Sequence, residues 1–166
     1  MSELKEEDFL HLPCTLYKTG KQIRNESKIF LKGDQVFKPE LEVYYIYGPP
    51  ASGKSKKALE IITKSGLLFN PFKYVNNFWL CVSDKPVACL YDDFRDSHMP
   101  ASEFINFIDY NKQVMNTKGG FIINNYRLII ITSVQSPTEI YQTMTSKFIE
   151  PQKQWLRRIK TINMSE

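Results

Sequence analysis

Apolar residues in this chain fall into short blocks separated by polar and turn-forming stretches, and two kinds of block alternate. Val43-Tyr44-Tyr45-Ile46-Tyr47, Val87-Ala88-Cys89-Leu90-Tyr91 and Leu128-Ile129-Ile130-Ile131-Thr132 are unbroken runs rich in β-branched and aromatic residues. They predict buried strands, the last of which needs cover on both faces. Lys54 to Ser65 instead carries Ala58, Leu59, Ile61 and Ile62 at helical spacing, with Gly66 placed to end a helix. Pro100 to Tyr110 has Phe104, Ile105, Phe107 and Ile108 at the same spacing, with Pro100 suited to a first turn. Ser136-Pro137-Thr138-Glu139 reads as a helix start with a Ser cap and a capping-box Glu, and a further helix after Pro151 turns Trp155, Leu156 and Ile159 inward. Leu67-Leu68-Phe69 or Tyr74 to Trp79 supplies another strand. Met115 to Asn125, with Lys118-Gly119-Gly120 inside it, predicts a hairpin projecting from the sheet. Strands alternating with helices give an α/β domain with a mainly parallel sheet.

Residues 1–40 do not follow this alternation. They are polar and mixed in charge, with small apolar clusters at Phe9-Leu10 and Ile29-Phe30-Leu31 and a turn at Lys32-Gly33-Asp34. They read as a short leading segment, an oligomerisation collar or a packing arm, before a main domain over 41–162. The 166 residues suit one such domain. A net charge of +4 permits a nucleic-acid partner without demanding one, but Lys153, Arg157, Arg158 and Lys160 stand against only Glu166 near the end, so that end is expected to seek negative charge or a shared site. No apolar run approaches the length of a membrane span, which predicts a soluble intracellular protein with no membrane partner. The spacing of Cys14, Cys81 and Cys89 supports neither a disulfide framework nor a zinc site.

The chemistry-bearing stretch is Gly48-Pro49-Pro50-Ala51-Ser52-Gly53-Lys54-Ser55, which fits the phosphate-loop pattern G-x-x-x-x-G-K-[ST] between a predicted strand and a predicted helix. Backbone N–H groups of such a loop wrap a phosphate chain, the Lys ammonium reaches the outer phosphates, and the Ser hydroxyl joins the coordination of Mg²⁺. Asp92 and Asp93 follow an apolar strand, the place where a nucleotide site needs one carboxylate for the metal and one for water.

Taken in order, the phosphate loop, Tyr91-Asp92-Asp93-Phe94-Arg95, Lys118-Gly119-Gly120, Ile130-Ile131-Thr132-Ser133 and Arg157-Arg158-Ile159 resemble the superfamily 3 helicase domain of replication-initiator (Rep) proteins from circular single-stranded DNA viruses and related plasmids. The resemblance covers about Pro39 to Ile159. It implies a three-layer P-loop NTPase fold of AAA+-like type, and an ATP-driven motor acting in rolling-circle replication. Such a motor assembles as a ring, usually hexameric, on single-stranded DNA, in the host nucleus for a eukaryotic virus and otherwise in the cytoplasm. Gly48 to Ser55 would then bind ATP, Ser55 and Asp92 would hold Mg²⁺, and Asp93 would polarise the attacking water. Lys118, with Gly119 and Lys112, would contact DNA, and Arg157 or Arg158 would reach the nucleotide of the next subunit.

Two departures from the family pattern carry consequences. Val134 stands where the family places an Asn that senses the γ-phosphate, and valine offers no hydrogen bond, so Ser133 or Gln135 is left to fill that role. The nicking domain that normally precedes the motor needs a His-x-His pair and a Tyr with Lys three residues on. This chain has only His11 and His98 and no such Tyr, and Thr15-Leu16-Tyr17-Lys18-Thr19-Gly20 resembles the worn end of the nuclease motif, with Thr15 in the nucleophile's place. No DNA nicking is expected of it. Two other readings compete: an ATP- and DNA-binding regulatory protein with little hydrolysis, and a small-molecule P-loop kinase. Against the kinase stand the long segment before the loop and the Lys-Gly-Gly stretch.

Overall fold

The structure, a computed structural model, describes residues 32–38, 40–142 and 149–165. Its centre is a five-stranded sheet made of β1 (Glu42–Tyr47), β2 (Phe69–Pro71), β5 (Ala88–Phe94), β8 (Leu128–Ser133) and β9 (Lys160–Asn163). The spatial order is β2-β5-β8-β1-β9, and every pairing is parallel. Parallel pairing sends the carboxyl ends of β1, β5 and β8 to one edge, and the phosphate loop leaves β1 there. The middle strand β8 is buried at all six positions, as its uninterrupted apolar run requires.

Side chains alternate across the sheet and build two cores. On one face Ile46, Ala88, Leu90, Leu128 and Ile130 pack under α1 (Lys54–Ser65) through Ala58 and Ile62. On the other, Val43, Tyr45, Cys89, Tyr91, Ile129 and Ile131 meet α2 (Ala101–Ile108) and Trp155 of α3 (Ile149–Leu156). This second core also takes in two hairpins, β3 (Lys73–Val75) with β4 (Phe78–Leu80) and β6 (Val114–Thr117) with β7 (Gly120–Ile123). The result is a three-layer α/β domain of P-loop NTPase type. Helix α1 has the predicted limits: Gly66 ends it at φ 70°, a left-handed conformation that costs glycine little, and its N–H closes on the Thr63 carbonyl at 3.2 Å.

Where the structure departs from the expectations, tertiary contacts explain it. The Ser136 capping box forms, with Glu139 accepting from the Ser136 N–H at 3.1 Å and Ser136 Oγ from the Thr138 N–H at 3.2 Å. The chain then turns instead of continuing as a helix, because Tyr141 is held at φ 61° by bonds from its N–H to Asp96 and from its hydroxyl to the Met99 carbonyl. Both candidate stretches for the additional strand are extended, but only Phe69–Pro71 joins the central sheet; Tyr74 and Trp79 pair within the β3–β4 hairpin. Leu59, predicted on the apolar face of its helix, is 44% exposed. Strand β9 had no signature, since an edge strand whose only half-buried apolar residue is Ile162 shows no period. Cys81 is disulfide-bonded and Cys89 is a free buried thiol; spacing along the chain does not reveal which thiols meet in space. No helix among the described residues is long and apolar enough to cross a membrane. The leading segment up to residue 31 lies outside the described residues, as do Cys14, Thr15 and His11.

Residues 36–38 lie against the base of the second hairpin: Lys112 N–H bonds the Val36 carbonyl at 2.7 Å, Lys38 N–H bonds the Tyr110 carbonyl at 2.7 Å, and Phe37 bridges Asn111. This docking buries Lys38 to 2% exposure, and its ammonium has no hydrogen-bond partner. Burial lowers its pKa from 10.5 to about 8, partly opposed by Cys89 and Asp109 and reinforced by Lys112. The unfolded chain keeps that proton to higher pH, so the penalty is full below pH 8 and fades as pH rises from about 8 towards 10.5. A shift of this size corresponds to about 3 kcal/mol. Lys38→Met should therefore be more stable than wild type at pH 7 by about 1–3 kcal/mol in urea unfolding, with the gap closing near pH 10. Equal stability at both pH values would contradict this account of Lys38.

Candidate functional site

The loop after β1 owes its shape to its two glycines, for different reasons. A Cβ on Gly48 would lie 2.9 Å from Met164 Cβ and 3.1 Å from Ser52 Oγ, so the first glycine makes room for the residue that follows β9. Gly53 sits at φ 86° as the N-cap of α1, where any side chain would be strained. Between them Ala51 also adopts positive φ, at 60°. The loop bounds a cleft of about 350 Å³ lined by residues 51–56, and the Ser52 hydroxyl is buried there without a partner. Lys54 arches back over the loop, its ammonium donating to the Gly48 carbonyl at 2.9 Å and the Pro49 carbonyl at 2.7 Å. The first N–H groups of α1 open the same cleft with the positive end of the helix dipole.

Opposite the loop, β5 breaks register with β8. Tyr91 pairs Ile131 and Phe94 pairs Ser133, so two residues of β5, Asp92 and Asp93, face the single Thr132. Such a bulge turns its two side chains in different directions. Asp92 faces the loop: its Oδ1 accepts from Ser55 Oγ at 2.9 Å and from Thr132 Oγ1 at 2.6 Å. Asp93, at φ 57°, turns to solvent beside Arg95, 3.3 Å away. The Thr132 hydroxyl also accepts the Asp93 N–H at 2.9 Å, so one threonine holds both acids. Lys73 adds a bond from its ammonium to the Asp92 carbonyl at 2.9 Å. Neither Thr132 nor Lys73 was identified from sequence in a site role. The threonine was visible only as a polar strand end, and nothing in sequence spacing links a hairpin lysine to β5.

The structure thus brings together Gly48 to Ser55, Asp92 and Asp93. Other candidates fare differently. Ser133 is fully buried, its hydroxyl donating to the Phe94 carbonyl at 2.7 Å and accepting the Gln135 N–H at 3.0 Å, so it braces the strand end and is not available to sense a ligand. Gln135 Oε1 accepts the Asp96 N–H at 2.9 Å, which leaves the amide NH₂ as the donor end. Lys118 is exposed at the hairpin tip beside Gly119 at φ 90°, whereas Lys112 lies at the hairpin base near Lys38, so the two lysines are not one patch.

The two arginines differ as well. Arg158 is only 10% exposed in its side chain, 3.6 Å from Asp109 and bonded to the Gln154 carbonyl, so the negative charge this end was expected to seek is, for Arg158, found within its own domain. A carboxylate at the end of α2 supplies what the sequence could not show. Arg157 is exposed, and among the described residues its guanidinium is shown bonding the Gln154 side chain, at 2.7 Å. Lys160 pairs with Glu42 at 2.9 Å, so part of the positive charge near the end of the chain is matched within the domain. A groove of about 630 Å³ at the opposite edge of the sheet contains Glu40 paired with Arg127, together with Glu42, and lies away from the phosphate loop and the paired acids.

Among known proteins, the chain is 32% identical over 120 residues to the replication-associated protein of Porcine circovirus 1, covering 72% of this chain and 36% of that protein. It is 31% identical over 108 residues to the replication-associated protein of Porcine circovirus 2, covering 65% and 33% respectively. With that of Beak and feather disease virus it shares 30% identity over 130 residues, covering 78% and 42%. The chain therefore spans only about a third to two-fifths of the length of these relatives. No protein-family model matches it.

The double role of Thr132 gives a test of the site's construction. Thr132→Val keeps the shape but leaves the Asp93 N–H unpaired and removes a donor to Asp92, in a position that is 1% exposed. Stability in urea should fall by about 1–3 kcal/mol. An unchanged unfolding midpoint would mean that the bulge is held by something else.

Proposed function

As a relative of the circovirus replication-associated proteins over most of its own length, this chain belongs with that family, and we propose that it is an ATP-hydrolysing helicase segment acting on single-stranded DNA during viral or plasmid replication. The observation that carries this reading is the convergence of the phosphate-loop Ser55 and the strand-end Thr132 on one oxygen of Asp92, with Asp93 beside it. A hydroxyl that donates to a carboxylate keeps its lone pairs for a cation, so Ser55 and Asp92 suit a hard divalent ion such as Mg²⁺. When bound, Mg²⁺ would neutralise charge building up on the phosphates.

The other residues take roles in keeping with their present contacts. Lys54 holds two neutral carbonyls; a phosphate oxygen offers its ammonium a stronger, charge-assisted bond, so the lysine moves to the nucleotide when one binds. Asp93 orients water for attack on the γ-phosphorus. Its pairing with Arg95 is no obstacle, because an ion pair this exposed is worth under about 1 kcal/mol. The Gln135 amide supplies the donor that Val134 lacks. Arg157, rather than the tethered Arg158, is the arginine free to reach a neighbouring subunit in a ring, for which six members is the expected number. Lys118 at the hairpin tip contacts the DNA backbone.

A second reading, a protein that binds ATP and DNA but scarcely hydrolyses, is favoured by Val134 and by the commitment of Ser133 to the strand end. The wild-type chain and one pair of variants together separate the two. Lys54→Ala should weaken Mg-ATP binding at least about tenfold and abolish turnover, since it removes the charge-assisted contact. Asp93→Asn should bind Mg-ATP within about threefold of wild type yet lose about two to three orders of magnitude in turnover. Turnover retained in Asp93→Asn would overturn the role of Asp93. A wild-type chain that binds ATP and releases no phosphate would establish the second reading.

A further inference from the structure

We infer that Lys73 is a positioning residue for the hydrolytic site, holding the backbone of the Asp92–Asp93 bulge from outside the central sheet. The inference rests on the ATPase reading for its kinetic consequence but not for its structural content.

The bulge is a weak point. Its ladder with β8 is interrupted between Tyr91 and Phe94, and Asp93 is held at φ 57°, a conformation that L-residues other than Asn and Asp seldom adopt. Two side chains hold it in place. The Thr132 hydroxyl takes the Asp93 N–H from one side, and the Lys73 ammonium donates to the Asp92 carbonyl from the other, at 2.9 Å. The peptide joining Asp92 to Asp93 is therefore held at both its carbonyl and its N–H. Rotation of that peptide would redirect both carboxyl groups at once.

Lys73 is well placed to act as a fixed strut despite being exposed. Its neighbours Phe72 and Tyr74 are buried, and Phe72 lies within 5.5 Å of the ring centres of Tyr91, Trp79 and Phe107. The Phe72 N–H also bonds the Leu90 carbonyl at 3.3 Å, tying the start of β3 to the strand that carries the acids. The ammonium then passes 5.7 Å from the Tyr91 ring centre, in range of a cation–π attraction, before reaching Asp92. Its charge also reaches His98, whose pKa is held down first by burial and next by Lys73. Through Lys73 the first hairpin thereby becomes part of the site's support.

The test uses the full chain with Lys73→Met, which keeps the length of the side chain and removes the donor, and Lys73→Arg, which keeps a donor. With turnover as readout, Lys73→Met should lower kcat about tenfold with KM for Mg-ATP within about twofold, and Lys73→Arg should recover at least about half of the loss; such a split marks an interaction made in the transition state. Independently of any turnover, hydrogen exchange at the Asp93 amide should be at least about tenfold faster in Lys73→Met. If the wild type hydrolyses ATP and Lys73→Met retains its kcat, or if Asp93 exchange is unchanged, the inference falls while the ATPase reading stands. If the wild type does not hydrolyse ATP, the exchange measurement alone decides.

Discussion

One carboxylate oxygen of Asp92 accepts hydrogen bonds from the hydroxyls of Ser55 and Thr132, and the arrangement of the whole site follows from that convergence. The two donors arrive on different strand-loop units: Ser55 on the first turn of α1, Thr132 on the middle strand. For all three to meet, β1, β5 and β8 must run parallel and end at the same edge, which is what their registers provide. The bulge then lets consecutive acids do different things, Asp92 facing inward to the loop and Asp93 outward to solvent. A regular strand would also send them to opposite faces, but it would leave Asp93 on the face of the aromatic core, where a charge is costly.

The same constraint accounts for much of the surrounding packing. The strand ends must be rigid to hold a carboxylate, two hydroxyls and a loop in register, and each is closed by contacts of its own. Ser133 bonds across to Phe94, Gly48 N–H bonds the Ser133 carbonyl at 3.2 Å, and Met164 N–H bonds the Tyr47 carbonyl at 2.7 Å while its side chain occupies the space a Cβ on Gly48 would need. Below them Phe72, Trp79, Tyr91, Phe94 and Phe107 form a continuous aromatic cluster. That cluster joins the first hairpin to β5, and through it a lysine outside the sheet comes to support the bulge.

Features set by local composition were legible in the sequence. The buried strands β1, β5 and β8 were visible as unbroken apolar runs, α1 as a periodic stretch closed by Gly66, and the phosphate loop and paired acids as a motif in its expected setting. What escaped depends on partners far along the chain. Strand β9 is an exposed edge without a period, the turn after Ser136 is imposed by Asp96 and Met99 on Tyr141, and the burial of Arg158 requires Asp109 at the end of another helix. Ser133 and Thr132 show the limit most clearly: adjacent polar residues at one strand end, they face opposite sides of the sheet. Only Thr132 meets the acids.

The proposed hydrolysis of ATP is open to direct test by phosphate release in a single turnover of the wild-type chain, with Mg²⁺ present or chelated and single-stranded DNA present or absent. The expected result is release that requires Mg²⁺ and is accelerated by single-stranded DNA. ATP that binds yet releases phosphate no faster than in buffer alone, under all of these conditions, would contradict it.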